Sequence, residues 1–195
     1  MREVNPVAET QVKSTDDVVK FLEDQHTSIK TLFAETLSAK SEQKRENAFN
    51  ELRKMLAVHE TAEEMIVHPR ARREKGIGDK VVDARLAEEH EAKEHLSKIE
   101  HMDIGSQEFL AAISNLQAAV VEHAAHEENE EFKKLSRDLD ARELKRMAGA
   151  VKAAESIAPT HPHAGVELAT VNFAIGPFVS MVDRARDLLR QGIGD

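Results

Sequence analysis

A three-residue pattern that occurs twice constrains this chain more than any other feature of its sequence. His26, His59 and Glu63 are followed 64 positions later by a second set with the same spacing: His90, His123 and Glu127. Apolar positions repeat at the same interval, with Leu22, Leu52 and Leu56 matching Leu86, Leu116 and Val120. Self-similarity at a fixed interval predicts two copies of one structural unit that share a core.

Each copy has the periodicity of two helices. Its apolar residues recur at intervals of three and four, the spacing of one face of an α-helix. We predict four helices, over about residues 15–38, 41–68, 79–102 and 106–138. The second should end at His68, because Pro69 follows, and the phase of the third rests on Val82, Leu86 and His90. Connections one to two and three to four are short, which favours an up-down-up-down bundle.

Composition supports an all-α fold with a C-terminal extension. The chain has 195 residues, of which only 8 are Gly and 5 are Pro. We predict a four-helix bundle over residues 15–138 and a helical extension over 139–195, with a linker near 156–170. Asp140 and Glu143 predict a capping box for a fifth helix. A last amphipathic helix, from Pro177 to Gln191, is expected to dock on the bundle, with a dimer or partner surface as the alternative.

Absent residue types and charge limit the possible functions. The chain has no Cys, Tyr or Trp, so any metal must be held by His and carboxylate. The net charge of -9 predicts neither a nucleic-acid partner nor an anionic-membrane partner. The beginning MREVNPVAET has no apolar run, so we expect a cytoplasmic protein. Phosphate-binding glycine loops and nucleophile triads do not occur in the sequence either.

The repeated histidines and glutamates indicate a metal site. Residues four apart lie on one helix face, so His59 with Glu63, and His123 with Glu127, each point two ligands the same way. A single histidine on an apolar stripe is more often a buried, hydrogen-bonded structural residue. Six such residues together, two of them buried glutamates, need a partner that two metal ions would supply. Iron, zinc and manganese all suit these ligands.

The ordered motif resembles the hemerythrin and HHE cation-binding family. Residues 15–138 supply His26, then HETAEE from His59, then His90, then HAAHEE from His123. The resemblance implies a four-helix bundle with two iron ions, bridged by Glu63, Glu127 and an oxo or hydroxo group. It also implies an open position for O2, peroxide or nitric oxide, in sensing, storage or oxidative-stress defence. The alternatives are a sensor whose folding depends on metal and a peroxide-consuming enzyme.

The chain departs from the oxygen-carrying members of that family on the third helix. Those members have a second histidine four residues after the first, where this chain has Glu94. Glu94 is a candidate seventh ligand that would stabilise ferric iron and favour oxidation chemistry, and a solvated residue is the alternative. Glu60 is a candidate extra bridge. The remaining polar neighbours are expected to be solvated or to support the ligands, and His68, His95 and His101 to lie at the surface or in loops.

Overall fold

The computed structural model describes residues 16–156 and residue 158, and this part of the chain is helical. Seven α-helices follow one another: α1 Val18–Ser38, α2 Glu42–Ala62, α3 His68–Ala71, α4 Gly78–Ile99, α5 Gln107–Glu127, α6 Lys133–Asp138 and α7 Ala141–Glu155. π-Helical turns at Glu63–Val67 and Glu128–Phe132 join α2 to α3 and α5 to α6. Each of these pairs therefore forms one long helical rod, and the fold is all-α as predicted.

Side-chain caps set the starts of four helices close to the predicted positions. Asp17 accepts hydrogen bonds from the first backbone N–H groups of α1, and Ser41 and Ser106 do the same for α2 and α5. Asp140 caps α7 by accepting from the backbone N–H of Glu143. The capping box is only half formed, because the Glu143 carboxylate instead accepts from the Arg70 guanidinium.

The second predicted helix does not end at His68, and the π-helical turn explains why. The backbone N–H of His68 donates to the carbonyl of Glu63, five residues back, so the helix widens here. Pro69 then lies in the first turn of α3, where a missing N–H is tolerated, and the rod continues to Ala71. Gly76 in the connection to α4 and Gly78 at the first position of α4 adopt positive φ values that favour glycine.

The rods pack as a four-helix bundle with α7 as an added helix. α1 contacts α2 and α5, α4 contacts α5, and short connections make consecutive neighbours antiparallel. α7 lies against α1, α2 and the first π-helical turn, so the beginning of the extension docks on the bundle. The predicted helix from Pro177 to Gln191 lies outside the described residues, and the boundary between bundle and extension at residue 138 stays a prediction.

Two hydrophobic clusters lie on either side of a polar layer. One cluster, at the end covered by α7, includes Leu22, Phe132 and Val151. The other, at the far end, includes Ile29 and Phe109. His26 lies between Leu22 and Ile29 on α1, so the polar layer is enclosed by apolar side chains both above and below. None of the described helices is long and apolar enough to cross a membrane.

Candidate metal centre

The polar layer consists of buried histidines and glutamates from the four helices of the bundle, which are α1, α4 and the two long rods. Its members are at most 8% exposed: His26 on α1, His59 on α2, Glu63 on the first π-helical turn, Glu89 on α4, and His123 and Glu127 on α5. Burial of this many ionisable groups in a bundle of this size is costly unless they are neutralised together. The layer is therefore the candidate functional site.

The side chains form two overlapping groups of potential metal ligands. In the first group, one ligand atom from each residue lies within 4.8 Å of the others: His26, His59, Glu63 and Glu127. The second group meets the same criterion: Glu63, Glu89, His123 and Glu127. Glu63 and Glu127 belong to both groups. A carboxylate shared by two adjacent positions can bridge two metal ions, because each of its oxygens can bind one ion.

The outward-facing nitrogens of the three histidines are fixed by hydrogen bonds. The Nδ1 of His26 lies 2.9 Å from Glu128 Oε1, and that of His123 lies 2.9 Å from Glu88 Oε2. The Nδ1 of His59 lies 2.8 Å from Gln25 Oε1. An oxygen acceptor requires a protonated nitrogen, so each Nδ1–H donates outward. A neutral ring in this tautomer directs its Nε2 lone pair inward, as a metal ligand requires.

The inward-facing atoms meet acceptors rather than donors. The Nε2 of His26 lies 3.3 Å from Glu127 Oε2, that of His59 lies 3.2 Å from Glu63 Oε2, and that of His123 lies 3.4 Å from Glu127 Oε1. Both carboxylate oxygens of Glu63 and Glu127 are buried with no hydrogen-bond partner among the described residues. Lone pairs facing one another in a dry core need a cation between them, and metal ions fit this need.

Electrostatics favours the metal-binding form of His59. Burial, and then the neighbouring His26, lower the pKa of His59 to about 3, so its ring is neutral at physiological pH. Burial and the adjacent Glu127 raise the pKa of Glu63 well above its usual range. Two carboxylates held this close cannot both be ionised without a compensating positive charge.

His123 and Glu127 compensate each other when no metal ion is present. Burial alone would raise the pKa of Glu127, but His123 and His26 outweigh it and hold that pKa well below the usual range. Burial would likewise lower the pKa of His123, but Glu127 and Glu88 raise it well above the usual range. A proton on His123 and a metal ion at the same position would therefore compete for one nitrogen.

The structure does not bring His90 or Glu94 into either group. The His90 side chain is 37% exposed and its Nε2 lies 3.4 Å from Glu94 Oε1, while Glu94 is 48% exposed. The buried stripe of α4 runs instead through Val82, Arg85, Glu89, Ala92, Leu96 and Ile99. The apolar residues in the second half of α4 thus determine which face of the helix is turned toward the core. A core-facing stripe drawn through Val82, Leu86 and His90 does not include Glu89. The spacing of three and four residues back from Ile99 and Leu96 leads to Glu89, and this pattern in the sequence could have identified it.

Glu60 lies beside the layer and is part of neither group. It is buried 3.7 Å from the ammonium of Lys93, which also forms an ion pair with Glu64 and lies 3.6 Å from Glu89. Burial raises the pKa of Glu60 to about 8, although Lys93 opposes the shift. Lys93 therefore acts as a fixed positive charge at the α2–α4 side of the site.

A third group of buried residues includes two that the sequence did not predict to lie at the site. His68, expected at the surface or in a loop, is 1% exposed, and Glu131 on the second π-helical turn is fully buried. His68, Glu127 and Glu131 have potential ligand atoms within 4.8 Å of one another. Gln25, which orients His59, was also missed, although it lies on the buried face of α1 between Leu22 and Ile29.

Replacing Gln25 by leucine should weaken metal binding without unfolding the bundle. The substitution removes the acceptor for the Nδ1–H of His59, so the ring is free to rotate or to change its tautomer. Loss of such a supporting hydrogen bond typically costs about 10- to 100-fold in metal affinity. Zinc competition against a chromophoric chelator measures the change, with Gln43→Leu on the exposed face of α2 as the control. Equal affinities for Gln25→Leu and wild type would contradict this role.

Comparisons with known proteins agree with the geometry. The family model described as the hemerythrin HHE cation-binding domain matches residues 17–135. A hemerythrin-like protein of Schizosaccharomyces pombe is 26% identical over 138 residues, covering 70% of this chain and 68% of that protein. A protein of Nostoc sp. named DNA nickase is 28% identical over 149 residues, covering 76% of this chain and 41% of its own length.

A solved structure supports the fold. The crystal structure of a hemerythrin HHE cation-binding domain-containing protein from Mycobacterium kansasii superposes with a TM-score of 0.61 at 21% identity. It covers 72% of this chain and 88% of that one. With the family model matching more than half of its residues, the chain belongs to the hemerythrin HHE cation-binding domain family.

Proposed function

We propose that this protein holds two iron ions in a non-haem centre that binds or reacts with O2, peroxide or nitric oxide. The roles that such a centre serves are sensing, storage of the small molecule, or defence against oxidative stress. The observation that carries the proposal is the pair of ligand groups that share Glu63 and Glu127. Metal binding is what the family membership and the His/Glu groups support directly; iron and its small-molecule partner are the further step.

The residues of the chain have separate roles in this proposal. His26 and His59 would hold one ion and His123 the other, with Glu63 and Glu127 shared between them. The two hydrophobic clusters exclude bulk water, which strengthens every charge interaction within the layer. When bound, the two iron ions would supply the redox chemistry that these side chains lack. Zinc and manganese suit the same ligand types, so the identity of the metal must be measured.

The ligand from α4 can be identified by a pair of variants. The repeat in the sequence favours His90, whereas the packing of α4 favours Glu89. We expect Glu89→Gln to lower the affinity for one of the two metal ions. His90→Gln should leave the affinities for both ions unchanged. Metal titration of the two variants measures this, and the opposite result would restore His90 as the ligand. Glu94 lies beside His90, so we expect it to act as a seventh ligand only if His90 is itself a ligand.

Exposure to oxygen tests the proposed chemistry. The protein is loaded anaerobically with Fe(II) and then exposed to air while the absorption spectrum is recorded. We expect charge-transfer bands in the near ultraviolet. Bands that disappear when oxygen is removed indicate carriage or storage, and bands that persist or decay irreversibly indicate oxidation chemistry. A colourless, iron-retaining protein with no spectral response to O2, peroxide or nitric oxide would refute the proposal.

A sensor whose folding depends on metal is a second candidate, and one observation favours it. Thirteen buried side-chain atoms have no hydrogen-bond partner among the described residues, and most of these atoms belong to the polar layer and its neighbours. Such groups destabilise a metal-free bundle, so metal binding would contribute to folding free energy. Thermal melting with and without iron separates this reading from that of a peroxide-consuming enzyme, for which the fold need not depend on the metal.

The absence of a nucleic-acid partner stays a prediction from charge. The net charge of -9 supplies no field that attracts a phosphate backbone, yet one relative is named DNA nickase. This chain covers 41% of that relative, so the activity in its name is tied to a much longer protein. A plasmid-nicking assay with the iron-loaded protein tests the prediction, and we expect the supercoiled plasmid to stay intact.

A further inference from the structure

His68 is buried one helical turn beyond the polar layer. Its Nε2 lies 2.5 Å from Glu89 Oε1, and its Nδ1 lies 3.2 Å from Glu131 Oε2. All three residues are at most 1% exposed. The motif shared by the two repeats contains neither His68 nor Glu131, so this contact is an addition to the site that the repeat describes.

The π-helical turns direct these two residues toward the site. In a regular α-helix at about 100° per residue, a residue five positions after Glu63 would lie roughly 140° away from it. The π-helical turn Glu63–Val67 makes five residues span about one turn, so His68 faces the same way as Glu63 and His59. Glu131 lies within the second π-helical turn, and both of its carboxylate oxygens are buried without a hydrogen-bond partner among the described residues.

Glu89 is held by one oxygen and leaves the other available. Its Oε1 accepts the hydrogen bond from His68, whereas its Oε2 is buried and has no hydrogen-bond partner within the described residues. The Lys93 ammonium lies 3.6 Å from Oε2, beyond hydrogen-bond distance. The same carboxylate belongs to the ligand group of Glu63, His123 and Glu127.

We propose that His68 is a positioning residue of the metal centre, which holds Glu89 so that the carboxylate of α4 presents its second oxygen to one metal ion. On the other side of the His68 ring, the Glu131 carboxylate lies 3.2 Å from Nδ1 and attracts the ring electrostatically. This inference rests on the proposed two-metal site and adds to it the residues that orient its α4 ligand. Ligand carboxylates are commonly hydrogen-bonded in this way, and their partners control affinity as well as geometry.

The contacts of His68 favour positioning over direct ligation. Its Nε2 donates to Glu89 Oε1, and its Nδ1 lies 3.2 Å from Glu131 Oε2 in an ion-pair contact without hydrogen-bond geometry. The Nε2 that donates to Glu89 has no lone pair for a metal ion. Its nearest approach to the shared carboxylate is also longer, with Nε2 3.9 Å from Glu127 Oε1. His68 therefore acts on the metal through Glu89.

Cobalt titration of the full chain tests the proposal. Co(II) binding is followed by visible absorption, which reports both the number of ions bound and the ligands around each. For His68→Leu we expect one of two ions to bind about 10- to 100-fold more weakly with an altered spectrum, and the other ion to be unchanged. His68→Gln, which keeps a donor, should recover most of the affinity. The exposed His95→Leu on α4 is the control and should match wild type.

Three results would contradict either the role of His68 or the proposed metal centre on which it rests, and the three can be told apart. Wild-type affinity and spectrum in His68→Leu would show that His68 does not position a ligand. Three Co(II) ions in wild type, with the third lost in His68→Leu, would make His68 a ligand instead. A wild-type chain that binds no Co(II) would refute the proposed metal centre itself. If His68→Leu does not fold by circular dichroism, Glu131→Gln decides, and an unchanged affinity and spectrum in it overturn the proposal.

Discussion

Glu63→Gln is expected to stabilise the metal-free protein and to abolish binding of both metal ions. Burial and Glu127 raise the pKa of Glu63 well above its usual range, so folding without metal forces this carboxyl to take up a proton. A neutral amide of the same size removes that cost. Replacing buried ionisable pairs by uncharged residues of similar volume is often neutral or stabilises a protein by about 1 to 4 kcal/mol, and we expect the Glu63 variant to fall within this range. Because Glu63 belongs to both ligand groups, neither ion retains its full set of ligands.

Glu127→Gln should also abolish metal binding but should have the opposite effect on the metal-free protein. The pKa of Glu127 is held well below its usual range despite burial, because His123 and His26 lie next to it. Removing one partner of a buried charge pair typically costs about 3 kcal/mol or more. The two variants therefore share the loss of metal and differ in the sign of the change in stability.

Urea denaturation of chelator-treated protein, together with metal analysis after gel filtration, measures both effects. Glu122→Gln, one turn before His126 on the exposed side of α5, is the matched control and should resemble wild type in both assays. A Glu63→Gln variant that still binds two ions would contradict the shared-carboxylate arrangement. Destabilisation of its metal-free form would contradict the electrostatic account of the layer.

The metal-free protein should lose stability as pH rises from 6.5 to about 8. Burial raises the pKa of Glu60 to about 8 and that of Glu64 to about 7. The pKa values of His68 and His123 are also raised, because nearby carboxylates outweigh the effect of burial. A raised pKa gives stability that is complete below the unfolded-state value and is lost as pH rises through the folded-state value. Each proton that the folded state holds and the unfolded state does not lowers the free energy of unfolding by up to about 1.4 kcal/mol per pH unit.

Groups with lowered pKa values do not oppose this trend within the same window. The pKa of His59 is lowered to about 3, so the stability it gains with rising pH is complete above 6.5. The lowered pKa values of Glu89 and Glu127 act near and below 4.5. The metal-loaded protein should show a smaller loss, because a metal ion would replace the proton of His123, whereas Glu60, Glu64 and His68 keep theirs. Denaturation curves at several pH values, with and without metal, check both trends. A flat or rising curve for the metal-free protein would contradict the prediction.

The sequence alone predicted the all-α bundle, and five of its six candidate ligands lie together in the buried layer. The 64-residue repeat and the 3.6-residue periodicity predicted four helical rods, and Ser41, Ser106 and Asp140 marked three of the helix starts. His59 with Glu63, and His123 with Glu127, share a helix face whatever the details of packing. Their position relative to the apolar stripe therefore identifies a buried layer directly.

The other parts of the site depend on tertiary packing and on irregular backbone. On α4 two phases compete, and packing of the apolar residues near Leu96 buries Glu89 and leaves His90 partly exposed. His68 lies on the site side only because the π-helical turn changes the helical repeat, and a regular 3.6-residue periodicity places it elsewhere. Local periodicity does not reveal either effect, since both arise from contacts with the other rods.

The measurement that tests the two-metal account most directly is the metal content of the full chain after anaerobic loading with Fe(II) and removal of unbound iron. We expect about two iron ions per chain, one for each of the two groups that share Glu63 and Glu127. Glu63→Gln should retain neither ion, and Glu122→Gln should retain both. One iron ion or none in the folded wild-type chain would contradict a shared two-metal centre.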